Sequence, residues 1–254
     1  MSITTEKTPL IDRLFKAGSH FGFKKARRHP TVAPFLFTTK DGNDIFDLEK
    51  TALSIEKTKE MLKEAGLQGK TVLLVGTKDE VSRIVKAVAE KVATPYVTNR
   101  WIGGMLTNFA EMKRRINRLE ELNAEKESGE LERKYTKKER VLIGREVAKL
   151  DFNFSGISSL KKMPDYILVV DPRHDSIAVT EARDKKIPVI AIMSSDCDVA
   201  KVKFPIVAND SLQTSVSLIL NELTASYAEG KSSYTPTPKS ADSQSRVSVR
   251  RKVA

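Results

Sequence analysis

Apolar positions along the chain follow two alternating rhythms. Short unbroken runs predict strands: Phe35-Leu36-Phe37, Thr71-Val72-Leu73-Leu74-Val75, Tyr96-Val97-Thr98, Tyr166-Ile167-Leu168-Val169-Val170, Val189-Ile190-Ala191-Ile192 and Phe204-Pro205-Ile206-Val207. The central runs are β-branched and apolar throughout, as expected for strands covered on both faces. Between them, spacings of three and four predict amphipathic helices. Leu53, Ile55, Met61, Leu62 and Ala65 mark one within 49–65, and Val81, Ile84, Val85, Val88 and Val92 another within 78–92. Residues 176–185 and 211–228 read similarly. Repeated strand, helix, strand predicts an α/β fold: a doubly wound, mainly parallel sheet of flavodoxin-like or Rossmann-like type, with helices on both faces and right-handed crossovers.

The rhythm breaks at Asn99-Arg100-Trp101-Ile102-Gly103-Gly104-Met105-Leu106-Thr107-Asn108, which holds the single Trp and a glycine pair. Paired glycine permits backbone conformations that a Cβ resists, and Trp101 can anchor the joint by burying its ring. An ordinary strand-to-helix turn is the plain alternative. Beyond it, Met105, Phe109, Met112, Ile116 and Leu119 recur at 4, 3, 4, 3, a heptad seam. Residues Asn123 to Gly129 suit a helix end and turn, and Thr136 with Glu139 three residues later forms a capping-box pattern before a second helix. Two helices on a short link predict an antiparallel coiled-coil hairpin inserted in the α/β body. Two helices lying flat on the core are the alternative. The chain thus divides into 1–104, the first part of the α/β domain with a basic leading segment; 105–152, the hairpin; 153–230, the rest of the α/β domain; and 231–254, a tail rich in Ser, Thr, Pro, Lys and Arg that has little to bury and is expected to be disordered.

Charge sharpens the picture. The formal net charge is +11 over 254 residues. Residues 1–30 carry seven Lys/Arg against two acids, 231–254 carry six against one, and the stretch between carries 31 against 30. An excess confined to the two ends suits a polyanionic partner. The single cysteine, Cys197, cannot form an intrachain disulfide, which fits a reducing compartment. No apolar run approaches the length of a membrane span, and the N-terminus lacks the apolar core of a secretory signal, so a cytoplasmic protein is expected.

Candidate chemistry follows from these patterns. Lys24, Lys25, Arg27 and Arg28 form the densest basic run, beside Phe21 and Phe23. Such cations attract phosphates, and neighbouring aromatic rings can stack an unpaired base. Arg100 beside Trp101 suits both phosphate and stacking. On the first arm of the hairpin, Lys113, Arg114, Arg115 and Arg118 can track a phosphate backbone, although Glu111, Glu120 and Glu121 lie nearby. Arg250, Arg251 and Lys252 in the tail form a third basic group. No cofactor is expected. A metal site is not expected either, because His20, His29, His174 and Cys197 lack close ligand spacing. Asp171-Pro172-Arg173-His174-Asp175 and Val75-Gly76-Thr77-Lys78 each follow a strand, where α/β enzymes place catalysts. A nucleotide- or sugar-phosphate-binding enzyme is therefore the rival reading. Val75–Lys78 has one glycine, however, and matches no phosphate-loop pattern.

Several blocks also resemble a known family in the same order. Besides Asn99–Asn108 they are Ala17-Gly18-Ser19-His20-Phe21-Gly22, Asp47-Leu48-Glu49-Lys50-Thr51, Val75–Lys78, Tyr135-Thr136-Lys137-Lys138-Glu139, Met163-Pro164-Asp165 and Ile187-Pro188-Val189-Ile190-Ala191. Over roughly residues 8–230 the chain resembles the bacterial-type S2 family of small-subunit ribosomal proteins. It departs from the usual His-Phe-Gly-His signature in carrying Phe23. The resemblance implies a structural, non-enzymatic role: binding small-subunit ribosomal RNA and neighbouring ribosomal proteins near the head–body junction, in support of subunit assembly and translation. Those neighbours would include the large repeat protein that helps recruit messenger RNA. No membrane and no obligate homo-oligomer is implied.

Overall fold

The computed structural model describes residues 9–234. A short helix α1 (Leu10–Lys16) leads into a small antiparallel sheet of β1 (Phe21–Lys24), β2 (Leu36–Lys40) and β3 (Asn43–Phe46), in the order β1-β3-β2. The apolar pattern anticipated only part of this sheet. Phe35-Leu36-Phe37 enters β2, but β1 and β3 are short and carry charges and a glycine.

Helix α2 (Leu48–Leu67) starts at Asp47, whose Oδ1 accepts from the backbone N–H groups of Glu49 and Lys50 at 3.1 and 3.4 Å. That cap satisfies donors the first helical turn leaves unpaired. Then β4 (Val72–Val75), α3 (Asp79–Val92) and β5 (Tyr96–Val97) lead to the hairpin, formed by α4 (Phe109–Glu127), a short α5 (Glu130–Lys134) and α6 (Lys137–Phe154). The chain returns through β6 (Tyr166–Val170), α7 (Ser176–Asp184), β7 (Val189–Met193), β8 (Phe204–Val207) and α8 (Gln213–Ser232). Strands β5-β4-β6-β7-β8 form one parallel sheet in that order. This is the doubly wound arrangement, and its direction reverses between β4 and β6.

Side chains on these strands alternate between two separate cores. Val72, Leu74, Leu168, Val170, Ile190 and Ile192 face α2, α3 and α8. Leu73, Val75, Ile167, Val169, Ala191 and Met193 face α7, Trp101 and the root of the hairpin. Both faces are covered, so the strands must be apolar at every position. Each large side chain withdrawn from water stabilises by about 1.5–3 kcal/mol. Helices α2 and α8 cross at a glycine pair. A Cβ at Gly66 would lie 2.6 Å from the Tyr227 carbonyl oxygen, and one at Gly230 would overlap that of Lys63. Only glycine admits so close a backbone approach.

The hairpin follows its heptad. Met112, Ile116, Leu119 and Leu122 are buried, with Val147 and Leu150 packed against them from α6. The Glu139 carboxylate accepts from the backbone N–H and hydroxyl of Thr136 at 2.8 and 2.9 Å, so the capping pattern is formed. Met105 is buried too, but in the turn before α4. Helix α8 runs past the expected domain limit to Ser232, and Lys231 Nζ donates to the Val92 and Ala93 carbonyls at 3.1 and 2.8 Å. The ammonium caps the C-terminal end of α3, where a cation is favoured. Among the described residues no helix is long and apolar enough to cross a membrane.

Candidate functional site

The basic run lies at the outer edge of the small sheet. Lys24, Lys25 and Arg27 are exposed, and the Arg27 guanidinium sits 5.5 Å from the centre of the Phe23 ring. Arg28 behaves differently. Its Nε donates to Asp44 Oδ2 at 2.8 Å, a terminal nitrogen closes a second bond to Asp44 Oδ1, and that nitrogen also reaches Thr39 Oγ1 at 2.6 Å. The Asp44 side chain is 0% exposed. Hydrogen bonding to Arg28 outweighs burial and holds the Asp44 carboxyl below its usual range. Arg28 thus ties the basic loop to β3, and most of its donors face inward.

Beside this loop stands an aromatic stack. The Phe15 and His20 rings lie 4.6 Å apart and nearly parallel, and the His20 and Phe21 rings 4.0 Å apart. Phe21 is 52% exposed. Burial lowers the His20 pKa, favouring a neutral ring between two phenyl faces.

The Asn99–Asn108 block separates into an outside and an inside. Arg100 is exposed. Trp101 is only 6% exposed, in the position of an anchor for the joint. Its ring packs in the sheet-face core, and its Nε1–H donates to Glu181 Oε1 at 3.2 Å. The same carboxylate accepts from the backbone N–H groups of Gly104, Leu106 and Thr107 at 2.8, 3.0 and 3.1 Å, and from the Thr107 hydroxyl at 3.1 Å. Burial pushes Glu181 up, but these donors outweigh it and hold its carboxyl below the usual value. Gly104 adopts φ +92°, which lets the chain curl around this anion. Sequence reasoning passed over Glu181. Its signal was an acid on the same helical face as buried Ala178 and Ala182.

On the first hairpin arm, Lys113, Arg114, Arg115 and Arg118 are all exposed. Glu111 pairs with Arg114 at 3.4 Å and Arg115 at 3.8 Å, while Arg118 lies 3.7 Å from Glu121 and 3.9 Å from Glu146. Of these four, Lys113 alone has no ion pair among the described residues. Arg250, Arg251 and Lys252 lie outside the described residues.

The edge that favoured an enzyme is occupied by its own contacts. Lys78 Nζ donates to Asp171 Oδ2 at 3.3 Å and Ser211 Oγ at 2.8 Å. Asp171 Oδ1 accepts from the Arg173 and His174 backbone N–H groups, Asp175 accepts from the Thr77 N–H and hydroxyl, and Asp210 accepts from the Ser194 N–H. Burial, with Asp171 close by, pushes the Asp210 carboxyl up to about 7. Burial also raises the Cys197 thiol, keeping it protonated and a poor nucleophile. Asp171, Cys197 and Asp210 place ligand atoms within 4.8 Å of one another, a convergence invisible in their spacing. Lys78 supplies the positive charge there.

Comparison with known proteins decides between a scaffold and a catalyst. The family model "Ribosomal protein S2" matches residues 14–230. The chain is 39% identical over 221 residues to the small ribosomal subunit protein uS2 of Petrotoga mobilis, covering 87% of this chain and 76% of that one. It is 41% identical over 230 residues to that of Nocardia farcinica, covering 91% and 79%. With that of Thermus thermophilus it shares 42% over 211 residues, covering 83% and 82%. The chain belongs to the ribosomal protein S2 family, proteins of the small ribosomal subunit that serve translation and are not enzymes. The enzyme reading is thereby set aside.

Proposed function

We propose that the chain is a structural constituent of the small subunit that docks on ribosomal RNA through its basic loop, Arg100 and the hairpin. The observation that carries this reading is the loop itself. Lys24, Lys25 and Arg27 are exposed beside a partly open aromatic stack, a surface that offers phosphate attraction and base stacking together. The hairpin would extend the contact along an RNA backbone, positioning rather than reading sequence. Family membership supports a place near the head–body junction with ribosomal proteins as neighbours, among them the large repeat protein that helps recruit messenger RNA.

The test replaces Lys24, Lys25 and Arg27 with Glu and leaves Arg28 intact, because Arg28 holds Asp44. Cell lysates are run on sucrose gradients at low and raised salt. The variant is expected to fold, by circular dichroism, and to leave the small-subunit fraction at a salt concentration the unaltered chain withstands. Equal retention would overturn the role given to this loop.

A further inference from the structure

Outside the closed cluster around Lys78, the carboxyl ends of β6 and β7 open into a recess of about 650 Å³. Three segments line it beside α7. Pro172 and Arg173 follow β6, Asp196 to Asp198 follow β7, and Arg27 to His29 come from the basic loop. That loop is fastened in place. The His29 N–H donates to the Ser195 carbonyl at 2.8 Å, the Phe23 N–H to Ser195 Oγ at 3.0 Å, and the Val199 N–H to Thr31 Oγ1 at 3.0 Å. The cavity is therefore preformed, as ligand sites usually are. Ser176, Val179, Thr180 and Arg183 of α7 line it as well, and no side chain caps that helix among the described residues. Its first-turn N–H groups add positive potential. A second recess of about 300 Å³ adjoins the first, sharing Arg183 and Lys201 and adding Lys186 and Lys203.

Charge in this double recess is uneven. Among the described residues Arg27, Arg183, Lys186 and Lys203 form no ion pair, whereas Arg173 is taken by Asp196 at 2.7 Å and Arg28 by Asp44. Lys201 and Asp198 approach only to 3.8 Å, too far for a hydrogen bond. Unpaired cations in a concave site suit phosphate groups, and the guanidinium fork of Arg183 suits them best. A carboxylate among such cations repels phosphate but accepts from hydroxyls, which is how dinucleotide-binding folds hold a ribose. Pro172, Val179 and Cys197 supply an apolar wall. The carboxyl ends of the strands are also where open α/β sheets take their ligands. We infer that the recess binds a nucleoside polyphosphate and leaves it unreacted. Arg183 and Lys201 hold the phosphates, with Lys186 and Lys203 beyond them, Asp198 accepts from the ribose, and the base rests against Pro172 and Val179. An RNA strand fits less well, because its repeating phosphates would run past both Asp196 and Asp198.

The experiment uses the purified full-length chain with ATP as the probe, and inorganic tripolyphosphate and a short single-stranded RNA for comparison. Isothermal titration calorimetry is expected to show one ATP site, with tripolyphosphate bound about tenfold more weakly. Arg183→Glu with Lys201→Glu is expected to weaken ATP binding about a hundredfold. Lys57→Glu with Arg83→Glu makes the same charge change at exposed positions of α2 and α3, on the other face of the sheet, and should alter it less than about twofold. Arg183→Gln with Lys201→Gln is the milder pair, used if circular dichroism shows that the reversal disturbs the fold, and should still lose about tenfold. Equal losses in the recess and control pairs would mean attraction by net charge alone and would overturn the inference. So would the absence of ATP binding at millimolar concentration, or tripolyphosphate binding as tightly as ATP. Displacement of ATP by the RNA at a lower concentration of phosphates would overturn it too, and would make the recess an RNA contact.

Discussion

Two regions of this molecule are dense in charge, and they differ in where that charge is spent. At the carboxyl edge of the parallel sheet, Lys78, Asp171, Asp175 and Asp210 are answered from within the chain, mostly by backbone N–H groups and hydroxyls. On the outer face of α6, Lys137, Lys138 and Arg145 have no such partners among the described residues. Groups already bonded within the chain have less capacity left for a partner than groups that are unpaired. The sheet edge has little left, whereas the helix face has nearly all of it. The first arm falls between the two, with its arginines shared among Glu111, Glu121 and Glu146.

Breaking the sheet edge should have the largest effect. Lys78→Met leaves Asp171 and Asp210 without their cation in a poorly hydrated setting, and urea unfolding should register a loss of about 3–5 kcal/mol. A loss under 1 kcal/mol would mean that water replaces the ammonium. Glu181→Gln keeps the shape of the side chain but weakens its hold on the Trp101–Thr107 segment, and should cost about 1–3 kcal/mol at neutral pH. The folded pKa of Glu181 is lowered, so its stabilising effect is present above the unfolded value, about 4.3. It is lost as pH falls through the folded value. The gap between wild type and Glu181→Gln should therefore close in acid.

Asp210 runs the other way. Its folded pKa lies near 7, so between about pH 4 and pH 7 the folded state holds a proton that the unfolded state has released. Stability from this group falls as pH rises through that window. Relative to wild type, Asp210→Asn should gain stability from pH 4 to pH 7, and a flat difference would show that Lys78 keeps Asp210 ionised throughout. The smallest effect on folding belongs to α6. Lys137→Glu with Lys138→Glu should alter unfolding free energy by no more than about 0.5 kcal/mol. It should nevertheless weaken subunit association more than Arg114→Glu with Arg115→Glu, as read from retention across a salt series. The reverse ranking would erase the contrast between the arms.

Much of the architecture was legible because the physics behind it is local. Strands covered on both faces must be apolar throughout, so Val72–Val75 and Tyr166–Val170 announced a buried parallel sheet. The seam at Met112, Ile116 and Leu119 announced the hairpin. Strands β1 and β3 escaped because their pairing depends on segments about twenty residues apart and only part of each is buried. The candidate site was less legible for the same reason. Arg28 looks identical to Arg27 in sequence, and only Asp44, sixteen residues away, separates an internal tie from an exposed cation. Trp101 and Glu181 meet across eighty residues. The surplus on α6 could have been read earlier, since the capping box already committed Glu139 and left Lys137 and Lys138 without it.

The glycine contact between α2 and α8 has a consequence in time. Ile55 and Leu62 on α2 need Ile219, Leu220 and Leu223 on α8 to complete their core, and the backbones meet at Gly66 and Gly230. Helix α2 is made early and α8 after every other described element, so during synthesis this face of the sheet stays wet until about residue 230 has emerged. The β-strands can pair and the hairpin can close beforehand, but this half of the core seals only when the C-terminal helix arrives. A chain cut short before α8 would therefore carry one finished face and one open, with Ile55 and Leu62 left in water.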